Sequence, residues 1–139
     1  MSIPTAILIE TTILAPVEVV WQFFTDPEHV VNWNNASPDW HTPEAKNDLV
    51  VGGKFSYTLA AKDGSFSFDF WGIYDVIIEN QLLKYTLGDG RKVSIEFSSV
   101  ADDTNIVETF EAESENPIDL QKAGWQAILD NFKKYVEEN

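Results

Sequence analysis

Two titratable side chains in this sequence, His41 and Glu108, could together supply acid–base chemistry. Glu108 has the same strand parity as Ile106 and Phe110, so its carboxyl group points inward if those two apolar side chains do. An unpaired buried carboxylate costs roughly several kcal/mol unless a raised pKa neutralises it. With the imidazole of His41 it would form a general acid/base pair for proton transfer on an apolar, carbonyl-bearing ligand. The alternative is that a bulge breaks the parity, or that Val107 marks the inner face, so that Glu108 is solvated.

His41 belongs to a group of aromatic and polar residues in a segment without regular periodicity. The group consists of Trp33, Asn34, Asp39, Trp40 and His41. It places an imidazole and several polar groups beside two indoles on a predicted lid, which favours contact between Trp33, Trp40 and His41 and a ligand. The alternative is that the tryptophans only close the open end of a sheet while His41 satisfies a backbone carbonyl.

Three tyrosines lie in phase with bulky apolar residues on predicted strands: Tyr57, Tyr74 and Tyr85. A few hydroxyl groups in an otherwise apolar wall would orient a ligand, and core packing is the alternative for at least one of them. Trp125 is predicted to face the sheet, because Gly124 beside it allows close approach of the backbone. The other residues predicted to contact a ligand are large and apolar: Phe55, Phe68, Phe70, Leu129 and Phe132.

Metal and nucleotide sites are not expected, and neither is a cofactor. The sequence has no cysteine, and its histidines are His29 and His41. Its glycine pairs lack the spacing of a phosphate loop, so Gly52 and Gly53 are interpreted as backbone relief at the start of a strand.

These candidates must be positioned by regular elements, of which the last is a long helix from Pro117 to about Val136. Asn116 is predicted as its side-chain N-cap, with Pro117 at the first helical position. Its large residues recur at helical spacing and predict one buried stripe: Ile118, Gln121, Trp125, Ile128, Leu129, Phe132, Tyr135 and Val136.

The preceding chain predicts one strand, two short helices and an antiparallel meander. The strand covers residues 6–14, one helix begins at Pro16, and a second follows the capping pattern of Thr25 to Glu28. Residues 34–47 are predicted to form a loop, and about five or six strands follow it up to residue 113. We therefore expect one α+β domain over residues 1–139, a helix-grip fold in which a curved antiparallel sheet wraps around the last helix.

One long strand within the meander carries a run of aromatic and aliphatic residues. Gly72 lies in the middle of this strand and predicts a bulge or bend there. The residues predicted to share one face are Phe66, Phe68, Phe70, Tyr74, Val76 and Ile78.

Composition excludes several classes of partner. With 23 acidic and 9 basic residues, the chain of 139 residues carries a net charge of −14, which repels nucleic-acid phosphates and anionic lipid headgroups. We therefore expect neither a nucleic acid nor a membrane as partner. Residues 1–5 lack the basic and apolar character of a signal peptide, so a cytoplasmic location is expected. A homodimer through a sheet edge or an exposed aromatic side chain is left open.

Several short stretches, in this order and spacing, resemble the helix-grip superfamily of START and pollen-allergen-like domains, often called SRPBCC. Within it, the chain is similar to the branch named for the activator of the large heat-shock chaperone's ATPase. The stretches are Ala15-Pro16 with Val20-Trp21, the run from Phe24 to His29, Trp33-Asn34, Asp39 to His41, Gly52 to Phe55, Thr109 to Glu111, and Gly124 to Leu129.

The resemblance covers essentially the whole chain and implies a deep, mainly apolar cavity between the curved sheet and the last helix. The superfamily uses this cavity for lipids, sterols, polyketides and other hydrophobic molecules. The co-chaperone that names the branch carries another domain before this one, whereas the first strand here begins by residue 6, so chaperone activation is not expected from the name alone.

Three functions are therefore considered. The first is non-catalytic binding of a small hydrophobic molecule in the cavity. The second is a cyclase- or hydrolase-type enzyme that uses His41 and Glu108. The third is a chaperone-associated interaction module that uses the acidic surface.

Overall fold

The computed structural model describes residues 5–139 of the chain. The expectation about a leader at residues 1–4 therefore lies outside the described residues. The strands are β1 (Ala6–Ile13), β2 (Trp40–Asn47), β3 (Lys54–Ala61), β4 (Ser67–Ile78), β5 (Leu82–Leu87), β6 (Lys92–Val100) and β7 (Asp103–Glu111), and the helices are α1 (Val17–Thr25), α2 (Pro27–Trp33) and α3 (Ile118–Glu137).

All seven strands form one antiparallel sheet in the order β1-β7-β6-β5-β4-β3-β2. Strands β2 to β7 follow one another as a meander, and β1 joins the far edge by pairing with β7. Large side chains alternate along each strand, so one face of the curved sheet is apolar and buried while the other is mostly polar. This confirms the predicted fold of one strand, two helices, six strands and a long helix.

α3 lies against the concave face and is fastened to β1 by polar contacts. Lys133 Nζ donates to the carbonyl of Thr12 at 2.7 Å, and the backbone N–H of Leu14 donates to Glu137 Oε2 at 2.9 Å. The predicted stripe is buried along most of the helix, but Ile118 is exposed. This part of the prediction is wrong because Ile118 is the first helical residue, where the chain has not yet reached the sheet.

The prediction of a loop over residues 34–47 is wrong in its second half, where β2 forms. β2 is an edge strand that pairs with β3 alone, and its register shifts between His41 and Glu44. Pro43 lies at this shift. An edge strand tolerates a proline and polar residues because one side of its backbone needs no partner strand. In β2 these residues interrupt the alternation of apolar and polar side chains by which a strand is recognised in a sequence.

The predicted phase of β4 is correct only up to Tyr74. The register with β5 shifts between Tyr74 and Val76, so Asp75 forms the irregularity that was expected at Gly72. After the shift, Ile77 packs against the core and Ile78 is exposed. The one extra residue reverses which side chains face inward.

Helix starts follow the sequence signals in one case and depart from them in another. The Asp26 side chain caps α2 by accepting a hydrogen bond from the backbone N–H of Glu28 at 3.0 Å, with Pro27 in the first turn. At α3 the N-cap is Pro117, so the prediction of Asn116 as a side-chain cap is wrong.

Among the described residues, no helix has the length and apolar character needed to cross a membrane.

Candidate functional site

A cavity of about 630 Å³ lies between the concave face of the sheet and the part of α3 up to Leu129. Most of the surface that lines it is apolar, and the cavity is partly open to solvent. Protein interiors normally contain few voids larger than a water molecule, so a space of this size is not a packing defect. The predicted hollow between sheet and helix is therefore present.

The lining residues form a buried group and a more exposed group, here called the floor and the mouth. The floor consists of buried residues on α2 and at its C-cap, on four strands and on α3: Trp33, Asn34, Phe55, Tyr57, Tyr74, Leu83, Tyr85, Glu108 and Leu129. The mouth consists of residues that are partly or fully exposed: Leu59, Phe66, Phe68, Arg91, Glu113, Glu115 and Asn116. Phe70, Gln121, Trp125 and Ile128 lie between the two.

Phe55 is the centre of an aromatic cluster in the floor. Its ring centroid lies 4.8 Å from that of Tyr85, 5.1 Å from Tyr57 and 5.5 Å from Tyr74. Gly72 lies opposite Phe55 across the β3–β4 pair, and a Cβ at this glycine would come within 2.9 Å of the Phe55 ring. The absence of a side chain at Gly72 therefore lets the Phe55 ring pack directly against the backbone of β4 as part of the cavity wall.

Trp125 forms the helical side of the wall. Its indole stacks on Phe110 with ring centroids 3.8 Å apart and planes 8° apart, and its edge meets Phe70 at 5.9 Å. Two aromatic contacts from different strands fix the orientation of the indole. The wall on this side is therefore formed before any ligand binds.

Glu108 is the only acidic residue of the floor as defined above, and its side chain is 7% exposed. Its cross-strand neighbours are Ile9 on β1 and Ile95 on β6, both buried. Within residues 5–139, the carboxyl group has no hydrogen-bonding or ion-pair partner. Burial raises its pKa to about 8, so the group is mostly protonated at neutral pH. The side chain of Glu108 faces inward with those of Ile106 and Phe110, as strand alternation predicts, and no bulge interrupts β7.

The other polar groups of the floor are tyrosine hydroxyls and one amide. The Tyr74 hydroxyl donates to Asn47 Oδ1 at 2.7 Å, and burial raises the pKa of Tyr74 to about 12. Burial also raises the pKa of Tyr85, and the nearby charge of Glu108 raises it further. Asn34 is buried, and its Nδ2 has no hydrogen-bond partner in the described part of the chain. A ligand with an acceptor atom could satisfy this donor.

Charged groups are confined to the mouth, apart from Glu108. Arg91 Nε donates to Asp89 Oδ2 at 2.7 Å, so the guanidinium already has an anionic partner. The side chain of Gln121 spans the loop before α3, where its Nε2 donates to the carbonyls of Glu113 and Asn116. These bonds hold the loop over one side of the mouth.

Of the residues predicted to contact a ligand, nine line the cavity: Trp33, Phe55, Tyr57, Phe68, Phe70, Tyr74, Tyr85, Trp125 and Leu129. Phe132 does not line it, because its ring is buried behind the floor against Phe24 and Trp33, with centroids 5.2 and 4.7 Å away. Trp40 also lies outside the lining, where its indole meets the rings of Phe66 and Phe68 beside the mouth.

His41 is exposed and lies outside the cavity, so the expected pair of His41 and Glu108 does not form. The reason is strand alternation. Thr42 faces inward, where its hydroxyl donates to the carbonyl of Asn34 at 2.6 Å, and the side chain before it must face outward. The candidate acid/base pair is therefore wrong, and Glu108 lies in the cavity without it.

Sequence reasoning missed several lining residues. Leu59, Leu83 and Ile128 had usable signals, since each lies in phase with a candidate that was named. No local sequence pattern predicts that Arg91, Glu113 and Glu115 line the cavity, because they lie in connecting segments whose path over the sheet depends on the assembled fold. No group of three or more histidine, acidic or cysteine side chains suited to a metal ion occurs in residues 5–139.

Comparison with known proteins gives a consistent result. The family model described as Activator of Hsp90 ATPase homolog 1-like protein matches residues 14–137. An AHSA1-like protein from Aeromonas hydrophila, solved by NMR, is 46% identical with a TM-score of 0.91, over 96% of this chain and 93% of that one. A protein from Cytophaga hutchinsonii is 54% identical with a TM-score of 0.83, over 96% of this chain and 92% of that one.

A protein from Chromobacterium violaceum shares the fold at 21% identity, with a TM-score of 0.86 over 98% of this chain and all of that one. Comparison with curated proteins gave no match.

Proposed function

The chain belongs to the family described as Activator of Hsp90 ATPase homolog 1-like protein. We propose that it binds a small hydrophobic molecule between the sheet and α3. The observation that carries the proposal is the preformed cavity of about 630 Å³. Ligand pockets for small molecules typically have volumes of about 300–1,000 Å³, with an apolar lining and a few polar groups. The cavity has these properties.

The mouth supports the same proposal. Phe66 is 58% exposed and Phe68 is 44% exposed, although both are large aromatic residues, one directly before β4 and the other on it. An apolar ligand entering from water would cover these rings and remove them from solvent. The exposed rings and the buried wall thus form one continuous apolar path.

The floor supplies the polar contacts that would orient a ligand. The Nδ2 of Asn34 is buried without a hydrogen-bond partner among the described residues, and the carboxyl group of Glu108 lines the cavity without a partner among them. An unsatisfied buried donor is costly, so it favours a ligand that presents an acceptor, and the Glu108 carboxyl group is free to contact the same ligand.

The test is calorimetric titration of the protein with 1-naphthol and octan-1-ol, two neutral probes that fit the volume. Saturable binding and a rise in melting temperature are expected, because a ligand that binds only the folded state stabilises it. Ile128→Trp places an indole in the cavity and should abolish binding, since Ile128 lies on its wall. Leu120→Trp is the matched control on the same helix, because Leu120 is 60% exposed and lies outside the lining.

Equal binding by Ile128→Trp and the unchanged protein would contradict a site between sheet and helix. Failure of both probes to bind, with no shift in melting temperature, would contradict the proposal itself.

A further inference from the structure

The proposed cavity has an electrostatic character that distinguishes among hydrophobic ligands. Its ionisable lining residues, apart from tyrosines, are Arg91, Glu108, Glu113 and Glu115. Arg91 is already paired with Asp89, so no unpaired cation in the lining is left to receive an anionic headgroup. The whole chain also carries a net charge of −14. The negative charge of the lining and of the whole chain would therefore repel a carboxylate ligand and attract a cationic one.

The floor places a carboxyl group beside a set of aromatic rings. Glu108 and Leu83 are both direct cross-strand neighbours of Ile95, and Tyr85 is the next inward-facing residue along β5. Glu108 and Tyr85 both line the cavity, on strands that are separated only by β6. Tyr85 in turn lies 6.1 Å from Tyr74, centroid to centroid, with their planes nearly perpendicular.

Carboxylates and aromatic faces attract the same kind of group. An ammonium ion forms a charge-assisted hydrogen bond with a carboxylate, and it is attracted to the negative face of an aromatic ring. In a buried site these interactions are stronger than in water, because the surrounding dielectric constant is lower. Glu108 has no protein cation as a partner in the described chain, so an incoming ammonium would not compete with one.

We propose that the cavity selects amphipathic amines, with the ammonium group bound by Glu108 among the floor tyrosines and the hydrocarbon part extending along Phe70 and Trp125. This inference rests on the proposed function, because it names the class of ligand for the same cavity. It accounts for a buried carboxyl group that is without a partner in the described residues, which neither the fold nor core packing requires.

Binding of an ammonium should release a proton. The carboxyl group is mostly protonated at neutral pH, because burial raises its pKa to about 8. An amine that binds as a cation stabilises the carboxylate, so the carboxyl proton leaves to the solvent. The other titratable groups of the floor are the hydroxyls of Tyr57, Tyr74 and Tyr85, and burial raises the pKa of each, so they keep their protons over this range.

The elements packed over Glu108 add no competing titration. The lining residues of α1, α2 and α3 carry no ionisable side chain, and the β1 and β6 neighbours are Ile9 and Ile95. Arg91, Glu113 and Glu115 lie at the mouth. A proton released on binding below about pH 8 is therefore assigned to Glu108.

The experiment compares octylamine, octan-1-ol and octanoate, which share one chain and differ in the head. Calorimetric titration should show octylamine binding about tenfold more tightly than octan-1-ol, with octanoate the weakest of the three. Titration in two buffers of different ionisation enthalpy should show close to one proton released per octylamine at about pH 6.5, and none for octan-1-ol.

The decisive variant is Glu108→Gln, which keeps the shape and removes the charge. It should weaken octylamine binding about tenfold, change octan-1-ol binding less than about threefold, and abolish the proton release. Glu96→Gln on the exposed side of the neighbouring strand is the matched control, and it should leave all three affinities unchanged.

Each negative outcome has a separate meaning. If octan-1-ol binds but octylamine is not preferred, or if Glu108→Gln binds octylamine as well as the unchanged protein does, the amine inference is wrong and the hydrophobic cavity stands. If none of the three molecules binds, both the inference and the proposed function are wrong.

Discussion

The two parts of α3, here called its halves and divided after Leu129, lie against the same concave sheet, yet only the second is fully packed. Phe132 and Val136 are at most 3% exposed and lie outside the cavity lining, while Trp125, Ile128 and Leu129 border the cavity. The difference comes from α1 and α2, which fill the space beside the second half with aromatic side chains. A curved sheet and one helix therefore leave a hollow, and additional helices close it.

The packed half is an interlocked aromatic cluster. Phe24 contacts Phe97 at 5.6 Å and Phe132 at 5.2 Å, and Trp33 contacts Phe132 at 4.7 Å, all between ring centroids. The Trp33 indole N–H also donates to the carbonyl of Phe23 at 2.9 Å. Close packing of this kind supplies dispersion energy that the hollow half lacks. The first half of α3 thus provides the ligand site, and the second provides much of the stability.

The largest expected effect is on stability, and it tests the difference between the packed half and the hollow half. Phe132→Ala should lower the free energy of unfolding by about 3–5 kcal/mol, because it opens a new void in the packed half. Phe70→Ala removes the same atoms beside a cavity that already exists, and should cost about 1–2 kcal/mol. Urea denaturation of both variants measures the difference. Equal losses would show that the hollow half is packed as tightly as the other.

The second prediction concerns the pH dependence of stability. The pKa of Glu108 is raised in the folded protein to about 8, so between its unfolded value and about pH 8 the folded state binds more protons than the unfolded state. The burial of Glu108 therefore destabilises the fold progressively as the pH rises through this range. The penalty is absent in strong acid and constant above about pH 8.

Glu108→Gln removes this titration. Relative to the unchanged protein, the variant should gain roughly 3 kcal/mol of stability between about pH 5.5 and about pH 8. Glu96→Gln reports the same charge change on the exposed face, where no gain is expected. A stability difference between Glu108→Gln and the unchanged protein that does not vary with pH would show that the carboxyl group is solvated.

The third and smallest prediction sharpens the view that the floor is built for binding. Asn34→Leu replaces an amide whose Nδ2 has no partner in the described chain with an apolar group of similar size. It should raise the free energy of unfolding by about 1 kcal/mol, since the cost of the unsatisfied donor disappears. Asn35→Leu, a matched change at a residue whose Nδ2 donates to the carbonyl of Ser37, should lower stability instead. Thermal unfolding measures both, and a loss of stability in Asn34→Leu would overturn the interpretation.

Much of the fold follows from local sequence patterns. The stripe on α3 and the alternation on β3, β5, β6 and β7 are strong because each element has one apolar face. The two strands whose prediction failed, β2 and the end of β4, both contain a register shift. A shift reverses the alternation that a sequence pattern depends on, so only the assembled sheet reveals it.

The candidate site was predictable where it lies on regular strands and helices. Nine aromatic or aliphatic candidates line the cavity because strand parity and helical spacing determine their direction. The lack of regular periodicity around His41 predicts a lid, yet this residue lies on β2, where Thr42 takes the inward position. Which partner strand an edge segment pairs with is a long-range property, and no local pattern in residues 34–47 encodes it.

The shift at Asp75 also divides β4 into two reading frames. Before it, Phe70 and Tyr74 face the cavity, and after it, Ile77 faces the packed core. Loss of one residue there would put one of these two sets out of frame and expose it to water. The cavity wall and the core beyond it therefore share one strand, and the number of residues in that strand is as constrained as its composition.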